Sequence, residues 1–183
     1  HWNIRMRLFQ YSRSANHCCN AILIGKRFYS TNDISSSVLC VHRIVFFHFC
    51  FIRRKKVTIN TIHWLGFISQ DQAAAEWANM DCGIIPSESE SESFGVSAVE
   101  AQACCTPVII SDIPGLMEAT VPGKTSVVVP RNSPEKLAAA IYEMYIDADK
   151  RNSLGRNGRN FVCETYELNQ CFLKIESIYK KHF

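Results

Sequence analysis

Two carboxylates and a glycine at a loop-to-helix boundary carry the chemistry that this sequence offers. The segment runs Pro86-Ser87-Glu88-Ser89-Glu90-Ser91-Glu92-Ser93-Phe94-Gly95, and Glu100 follows it. A glycine at the head of a helix lets the backbone approach a ligand closely. The amides of Gly95, Val96 and Ser97 would then point outward, an arrangement that favours anions such as phosphate. Glu92, at the end of the loop, offers acceptor oxygens to hydroxyl groups. Glu100 stands four residues after Val96, so one helical turn returns it to the same face. Phosphate flanked by two carboxylates suited to polyol hydroxyls is the chemistry of a nucleotide sugar. The spacing alone is weak, because Glu135 and Glu143 repeat it inside an ordinary helical stretch. A solvated, low-complexity acidic linker is the competing reading of the Ser/Glu run. Its position between an apolar run and an amphipathic helix argues for a ligand loop instead.

The elements that would hold this loop become legible from residue 57 onward. Residues 61–65 read as a strand closed by Gly66. Residues 70–80 read as a helix with Ala73, Ala74, Trp77 and Ala78 on one face. Residues 82–85 form a short apolar strand stopped by Pro86, and 95–104 read as the next helix. Residues 107–111 and 125–129 are two more apolar strands. Ser133-Pro134-Glu135 is a helix start, with Ser as N-cap and Pro at the first helical position. That helix runs to about residue 146, with Leu137, Ile141, Met144 and Tyr145 as its apolar stripe. Two further helices are expected over 149–164 and 167–181. Short apolar strands alternating with helices predict an α/β domain, a doubly wound parallel sheet of Rossmann-like form. In such sheets ligands bind beyond the carboxyl ends of the strands, where loop 86–95 falls.

Before residue 57 the text changes character. Cys, His, Phe and Ser are abundant and periodicity is poor, apart from Ala21-Ile22-Leu23-Ile24-Gly25, which reads as a buried strand. The apolar run over 44–52 is interrupted by His48 and is far short of the roughly 20 residues that span a bilayer, so it also reads as a buried strand. No secretory signal is recognisable, and the expected compartment is the cytoplasm, with a position peripheral to the membrane left open. The nine cysteines form no C-x-x-C pair and no disulfide framework. His17-Cys18-Cys19 lacks a second ligand pair, so no metal site is expected. A net charge of +3 is too mild to imply nucleic acid, and much of it sits in Arg53-Arg54-Lys55-Lys56 and Lys180-Lys181. Gly155-Arg156-Asn157-Gly158-Arg159 has the G-x-x-G form of an RNA-clamping loop, but it lies in a helical stretch without aromatic platforms.

An ordered series of motifs now carries a resemblance. Asp81-Cys82-Gly83-Ile84-Ile85-Pro86-Ser87, Glu92-Ser93-Phe94-Gly95-Val96, Val99-Glu100-Ala101 and Cys104-Cys105-Thr106-Pro107-Val108-Ile109 follow one another. Ser111-Asp112-Ile113-Pro114-Gly115-Leu116-Met117-Glu118, a turn at Gly123 and Ser133-Pro134-Glu135-Lys136-Leu137 continue the series, and His63-Trp64-Leu65-Gly66-Phe67 precedes it. Together they resemble the E-x7-E region of retaining family-4 glycosyltransferases of the GT-B fold, over roughly residues 57–181. The resemblance implies the C-terminal, donor-binding half of such an enzyme. It implies that Glu92 holds hydroxyls of the donor sugar and is the catalytic candidate. Ser93, Phe94, Gly95 and Val96 would surround the diphosphate, and Glu100 would bind the ribose hydroxyls. Gly66 and Phe67 would border the base pocket. The reaction implied is transfer of a sugar from a UDP- or GDP-linked donor to a saccharide or lipid hydroxyl, with retention of configuration. It would proceed by positioning and electrostatic stabilisation of the leaving diphosphate, without a cofactor or a required metal. Glu118 follows a glycine turn and reads as structural.

Three departures from the family pattern qualify these expectations. Cys105 and Ser126 stand where the family usually has Gly, and either is tolerable if its backbone stays at negative φ. The Arg and Lys with which the family neutralises the diphosphate have no counterpart, since Arg5, Arg7 and Lys26 fall outside the expected context. Residues 1–56 therefore read as an atypical or degraded start of the donor-binding domain, ahead of a nucleotide-sugar-binding unit over 57–183. An N-terminal acceptor-binding domain is expected as the missing partner, and the chain alone as a poor enzyme. The alternative is a non-catalytic nucleotide-sugar-binding module that needs a partner chain.

Overall fold

The computed structural model describes residues 5–14, 17–25, 62–88 and 94–182. Six strands form one sheet: β1 (Arg5–Ser14), β2 (His17–Gly25), β3 (Ile62–Phe67), β4 (Cys82–Ile85), β5 (Val108–Ser111) and β6 (Ser126–Val129). Six helices accompany them among the described residues: α1 (Gln70–Ala78), α2 (Val96–Ala103), α3 (Pro114–Glu118), α4 (Pro134–Ile146), α5 (Ala148–Tyr166) and α6 (Leu168–His182). The strand order is β3-β1-β2-β4-β5-β6.

The half of the sheet from β4 to β6 is parallel. Ile84 lies opposite Ile109, and Ile109 opposite Val127. Side chains of successive strand residues point to opposite faces, and both faces here are covered. Ile85, Val108 and Ile110 join Ala73, Trp77, Ala98, Ala101 and Leu116 on the side of α1, α2 and α3. Cys82, Ile84, Ile109 and Val129 join Leu137, Ile141, Met144 and Leu154 on the side of α4 and α5. Two-sided burial is the reason these strands are apolar at most positions, with Ser111 and Ser126 as the buried polar exceptions. Gly83 lets Trp77 lie flat against the sheet, since a Cβ there would come within 2.7 Å of Trp77 Cζ3.

The α/β class stands, but the other half of the sheet departs from an all-parallel arrangement. β1 and β2 pair antiparallel, and β2 pairs antiparallel with β4 through Ile22↔Ile84. Strands separated only by residues 15 and 16 have no room for the crossover of a dozen or more residues that a parallel neighbour requires. β3 is parallel to β1. Two reversals restore direction, so β3 ends at the same edge of the sheet as β4, β5 and β6.

Caps explain several helix boundaries. Ser69 and Gln72 form a reciprocal capping box at α1, with the Gln72 amide donating to Ser69 Oγ (3.3 Å) and the Ser69 amide to Gln72 Oε1 (2.9 Å). Asp147 caps α5 by accepting from the Lys150 amide at 2.8 Å. Ser133 occupies the N-cap position of α4 but does not cap it. Its φ and ψ of −120° and 73° leave its hydroxyl donating to the Arg131 carbonyl at 3.3 Å instead. Instead of a glycine turn ahead of Glu118, residues 114–118 form the short helix α3, because Pro114 pre-sets φ at its first position.

α2 ends in a Schellman turn: the Cys105 amide donates to the Gln102 carbonyl and the Thr106 amide to the Ala101 carbonyl, both at 2.9 Å. This turn places Cys105 at φ +60°, so the condition under which Cys could replace Gly there is not met. Ser126 meets it, lying fully buried in β6 with its hydroxyl donating to Thr120 Oγ1 at 3.0 Å. Gly155 and Gly158 lie inside α5 and are buried against α2. A Cβ on Gly155 would sit 2.2 Å from the Cys105 carbonyl oxygen, and one on Gly158 would sit 3.0 Å from Gln102 Cγ. The G-x-x-G segment is a helix-packing surface, not a nucleic-acid loop. The run at 44–52, the basic run at 53–56 and the rest of 26–61 lie outside the described residues. Among those described, no helix is long and apolar enough to cross a membrane.

Candidate functional site

The carboxyl edge of the sheet gathers most of the expected site. The loop after β4 leads into α2, the turn after β5 into α3 and the turn after β6 into α4. Asp112, just past β5, accepts from the Arg131 amide at 2.7 Å and faces its Nε at 3.4 Å, which ties the β5 and β6 turns together.

Gly95 is the pivot of the site. It sits at the N-cap of α2 with φ +71° and ψ +47°, a left-handed conformation that costs an L-residue roughly 1–2 kcal/mol. A Cβ there would lie 2.6 Å from Leu116 Cδ2 and 3.5 Å from Ala119 Cβ. Glycine is therefore required by α3 packing against it as well as by the backbone. Its carbonyl accepts from the amides of Ala98 (2.8 Å) and Val99 (3.3 Å), closing the first turn. The amides of Val96 and Ser97 precede that closure and have no carbonyl within the helix to bond. These are amides that the sequence pattern assigns to a phosphate.

Glu100 lies one turn further, half-buried on the face shared by Val96 and Ala103. Burial pushes its carboxyl from the ordinary 4.5 up to about 7. The Cys104 thiol, on the following turn, is also raised by burial, with Arg159 opposing and Cys105 and Glu100 adding to the effect. Cys82, in the core, is pushed up to about 12 by burial and is inert as a nucleophile.

Phe94 precedes the pivot and meets the Tyr166 ring edge-on, with centroids 5.5 Å apart at 89°. Tyr166 also packs edge-on against Phe161 at 5.7 Å, and its hydroxyl donates to the Glu118 carbonyl at 3.2 Å. Burial and the nearby Glu118 carboxylate raise its pKa. Sequence reasoning missed Tyr166, and no local signal marks it. Glu118 enters through its carbonyl, which accepts from Tyr166, and through the charge of its carboxylate.

Gly66 and Phe67 close β3. Gly66 has φ +62°, with open space where a Cβ would be, and Phe67 is 67% exposed. They lie at the same edge as the loop before α2 but three strand spacings from β4, about 14 Å. Glu92 and Ser93 lie outside the described residues, as does Lys26, while Arg5 and Arg7 fall on β1.

Known proteins similar to this chain bear on its family and fold. The sequence profile of the family described as glycosyl transferases group 1 matches residues 52–161. An uncharacterized glycosyltransferase of Methanocaldococcus jannaschii is 30% identical over 126 residues, which cover 69% of this chain and 35% of that protein. The sucrose-phosphate synthase of Thermosynechococcus elongatus superposes with a TM-score of 0.62 at 30% identity, over 68% of this chain and 31% of its own. HepE of Anabaena, solved in complex with UDP-glucose, shares the fold, with a TM-score of 0.60 at 22% identity over 67% of this chain and 33% of its own. The chain thus spans about a third of the length of these relatives. With the profile running from before β3 to within α5, more than half of the sequence, this chain belongs to the group 1 glycosyltransferases.

Proposed function

We propose that this chain is the donor-binding, C-terminal half of a retaining family-4 glycosyltransferase, which transfers a sugar from a UDP- or GDP-linked donor to a saccharide or lipid hydroxyl. The carrying observation is one helix start at the carboxyl edge of the sheet, with Gly95, two first-turn amides and the half-buried Glu100 on it. In this reading the diphosphate faces the amides of Val96 and Ser97, beside Ser93 and Phe94. Glu100 accepts from the ribose hydroxyls, Glu92 accepts from the donor sugar, and the base lies towards Gly66 and Phe67. UDP-glucose in the HepE structure, and the order of motifs from Gly66 to Glu100, support this assignment.

Sugar transfer would further require an acceptor-binding domain, which the shorter length of this chain leaves to the rest of the protein. The exposed apolar stripe of α6, formed by Leu168, Phe172, Ile175 and Ile178, supports the reading that the chain is part of a larger assembly.

Calorimetric titration with UDP- and GDP-sugars, on this chain and on Glu100→Ala, tests the site. A charge-assisted hydrogen bond contributes about 1.5–3 kcal/mol, so the substitution should weaken binding by about ten- to a hundredfold. Absence of binding by every nucleotide sugar would overturn the donor-site reading. Recovery of transfer on adding a separately expressed N-terminal domain would distinguish an enzyme half from a binding module.

A further inference from the structure

The loop before α2 is gripped from two sides by elements distant in sequence. Beneath it, a Cβ on Gly95 would meet Leu116 Cδ2 at 2.6 Å and Ala119 Cβ at 3.5 Å. Beside it, the Tyr166 ring stands edge-on to Phe94 at 5.5 Å. The two grips are joined, because the Tyr166 hydroxyl donates to the carbonyl of Glu118, the last residue of α3. Phe161, five residues earlier in α5, also packs edge-on against the Tyr166 ring at 5.7 Å. Loop, α3 and the end of α5 thus form a closed triangle of contacts around the Phe94–Gly95 step.

We propose that Tyr166 is a positioning residue for the donor loop, fixing Phe94 and with it the direction of the first-turn amides of α2. The inference deepens the donor-site reading and rests on it for its functional consequence. An edge-to-face aromatic pair has a defined angle, which an aliphatic contact of similar area would not impose. The bond from its hydroxyl to the Glu118 carbonyl holds the far end of the ring in place. Tyr166 is also the last residue of α5, directly before the break at Glu167 that starts α6. A shift of that junction is therefore carried to Phe94 through one side chain.

Hydrogen exchange and UDP titration on the full chain test this together. In Tyr166→Leu the amides of Ala98 and Val99, which bond the Gly95 carbonyl, should exchange about three- to tenfold faster, while those of Ile109 and Ile110 in β5 hold. UDP affinity should fall by a similar factor, and Tyr166→Phe, which keeps the ring, should recover most of it. Should Tyr166→Leu fold poorly, Phe94→Leu removes the same ring contact from the other side, and it should reproduce both effects. Unchanged exchange in the first turn of α2, or exchange rising equally through β5, would overturn the positioning role. If the unmodified chain binds no UDP, the donor-site reading fails by itself, and the exchange comparison still decides whether Tyr166 sets the loop.

Discussion

Replacing Glu100 by Gln should make this protein more stable at neutral to alkaline pH while weakening its proposed ligand site. The carboxyl is raised by burial from 4.5 to about 7, so the folded state holds the proton more tightly than the unfolded chain does. Below about pH 4.5 both states are protonated and the group is neutral to stability. As pH rises from there to 7 the unfolded chain ionises first, and stability is lost across that window. Above pH 7 the full penalty remains. Taken whole, that interval corresponds to about 3.4 kcal/mol. Glu100 is only half-buried, so solvent screening reduces the expected penalty to about 1–2 kcal/mol. Glutamine has nearly the same shape and no charge to desolvate. Urea unfolding of both proteins at pH 4.5, 6, 7 and 8.5 should give coincident stabilities at the acid end and a gap of about 1–2 kcal/mol in favour of Gln at the alkaline end. At the transition temperature that gap corresponds to about 2–8 °C for a chain of this size. A difference that does not vary with pH, or a Gln variant less stable at pH 8.5, would refute the assignment of a desolvated carboxyl.

Three glycine-related changes give sharper structural tests. Cys105→Gly should stabilise the chain by about 0.5–1 kcal/mol in denaturant titration, since relief of the left-handed strain outweighs the added freedom of glycine in the unfolded chain. Gly155→Ala should destabilise by about 3 kcal/mol in the same assay, because its new methyl would meet the Cys105 carbonyl oxygen, backbone that cannot swing away. Gly95→Ala should cost at least about 2 kcal/mol, combining the φ of +71° with the Leu116 contact, and should abolish nucleotide binding measured by calorimetry.

The parts of the fold legible in the sequence are those whose cause is local. β4 falls on residues 82–85 because a short apolar run ends at Pro86, and α4 falls on 134–146 because Pro134 opens it ahead of a regular stripe. The β1–β2 hairpin was not legible. Its register joins Arg5 to Gly25 across a sequence with poor alternation, and nothing local specifies pairing with β4. The left-handed conformation at Cys105 is hidden for the opposite reason. The Schellman bonds at Gln102 and Ala101 impose it on a residue type that does not advertise it. In the site, Gly95 and Glu100 could be read from one helical turn, whereas Tyr166 reaches Phe94 only through the packing of α5 on α2 and α3.

Gly95 and Glu100 differ in how much they argue for a ligand. The fold itself favours Gly95: with φ in the left-handed region and Leu116 Cδ2 only 2.6 Å from where a Cβ would lie, this junction of α2 and α3 prefers glycine whether or not phosphate ever arrived. The same is true of Gly155 and Gly158, whose motif suggests a ligand loop but serves the contact between α5 and α2. Glu100 is different. A carboxyl pushed to about 7 by burial costs folding stability that a glutamine of the same outline would not. Hydroxyl donors brought by a ligand would offset that cost by replacing the water lost to burial. The functional reading of the signature therefore leans on the carboxylate rather than on the glycine that makes the signature easy to recognise.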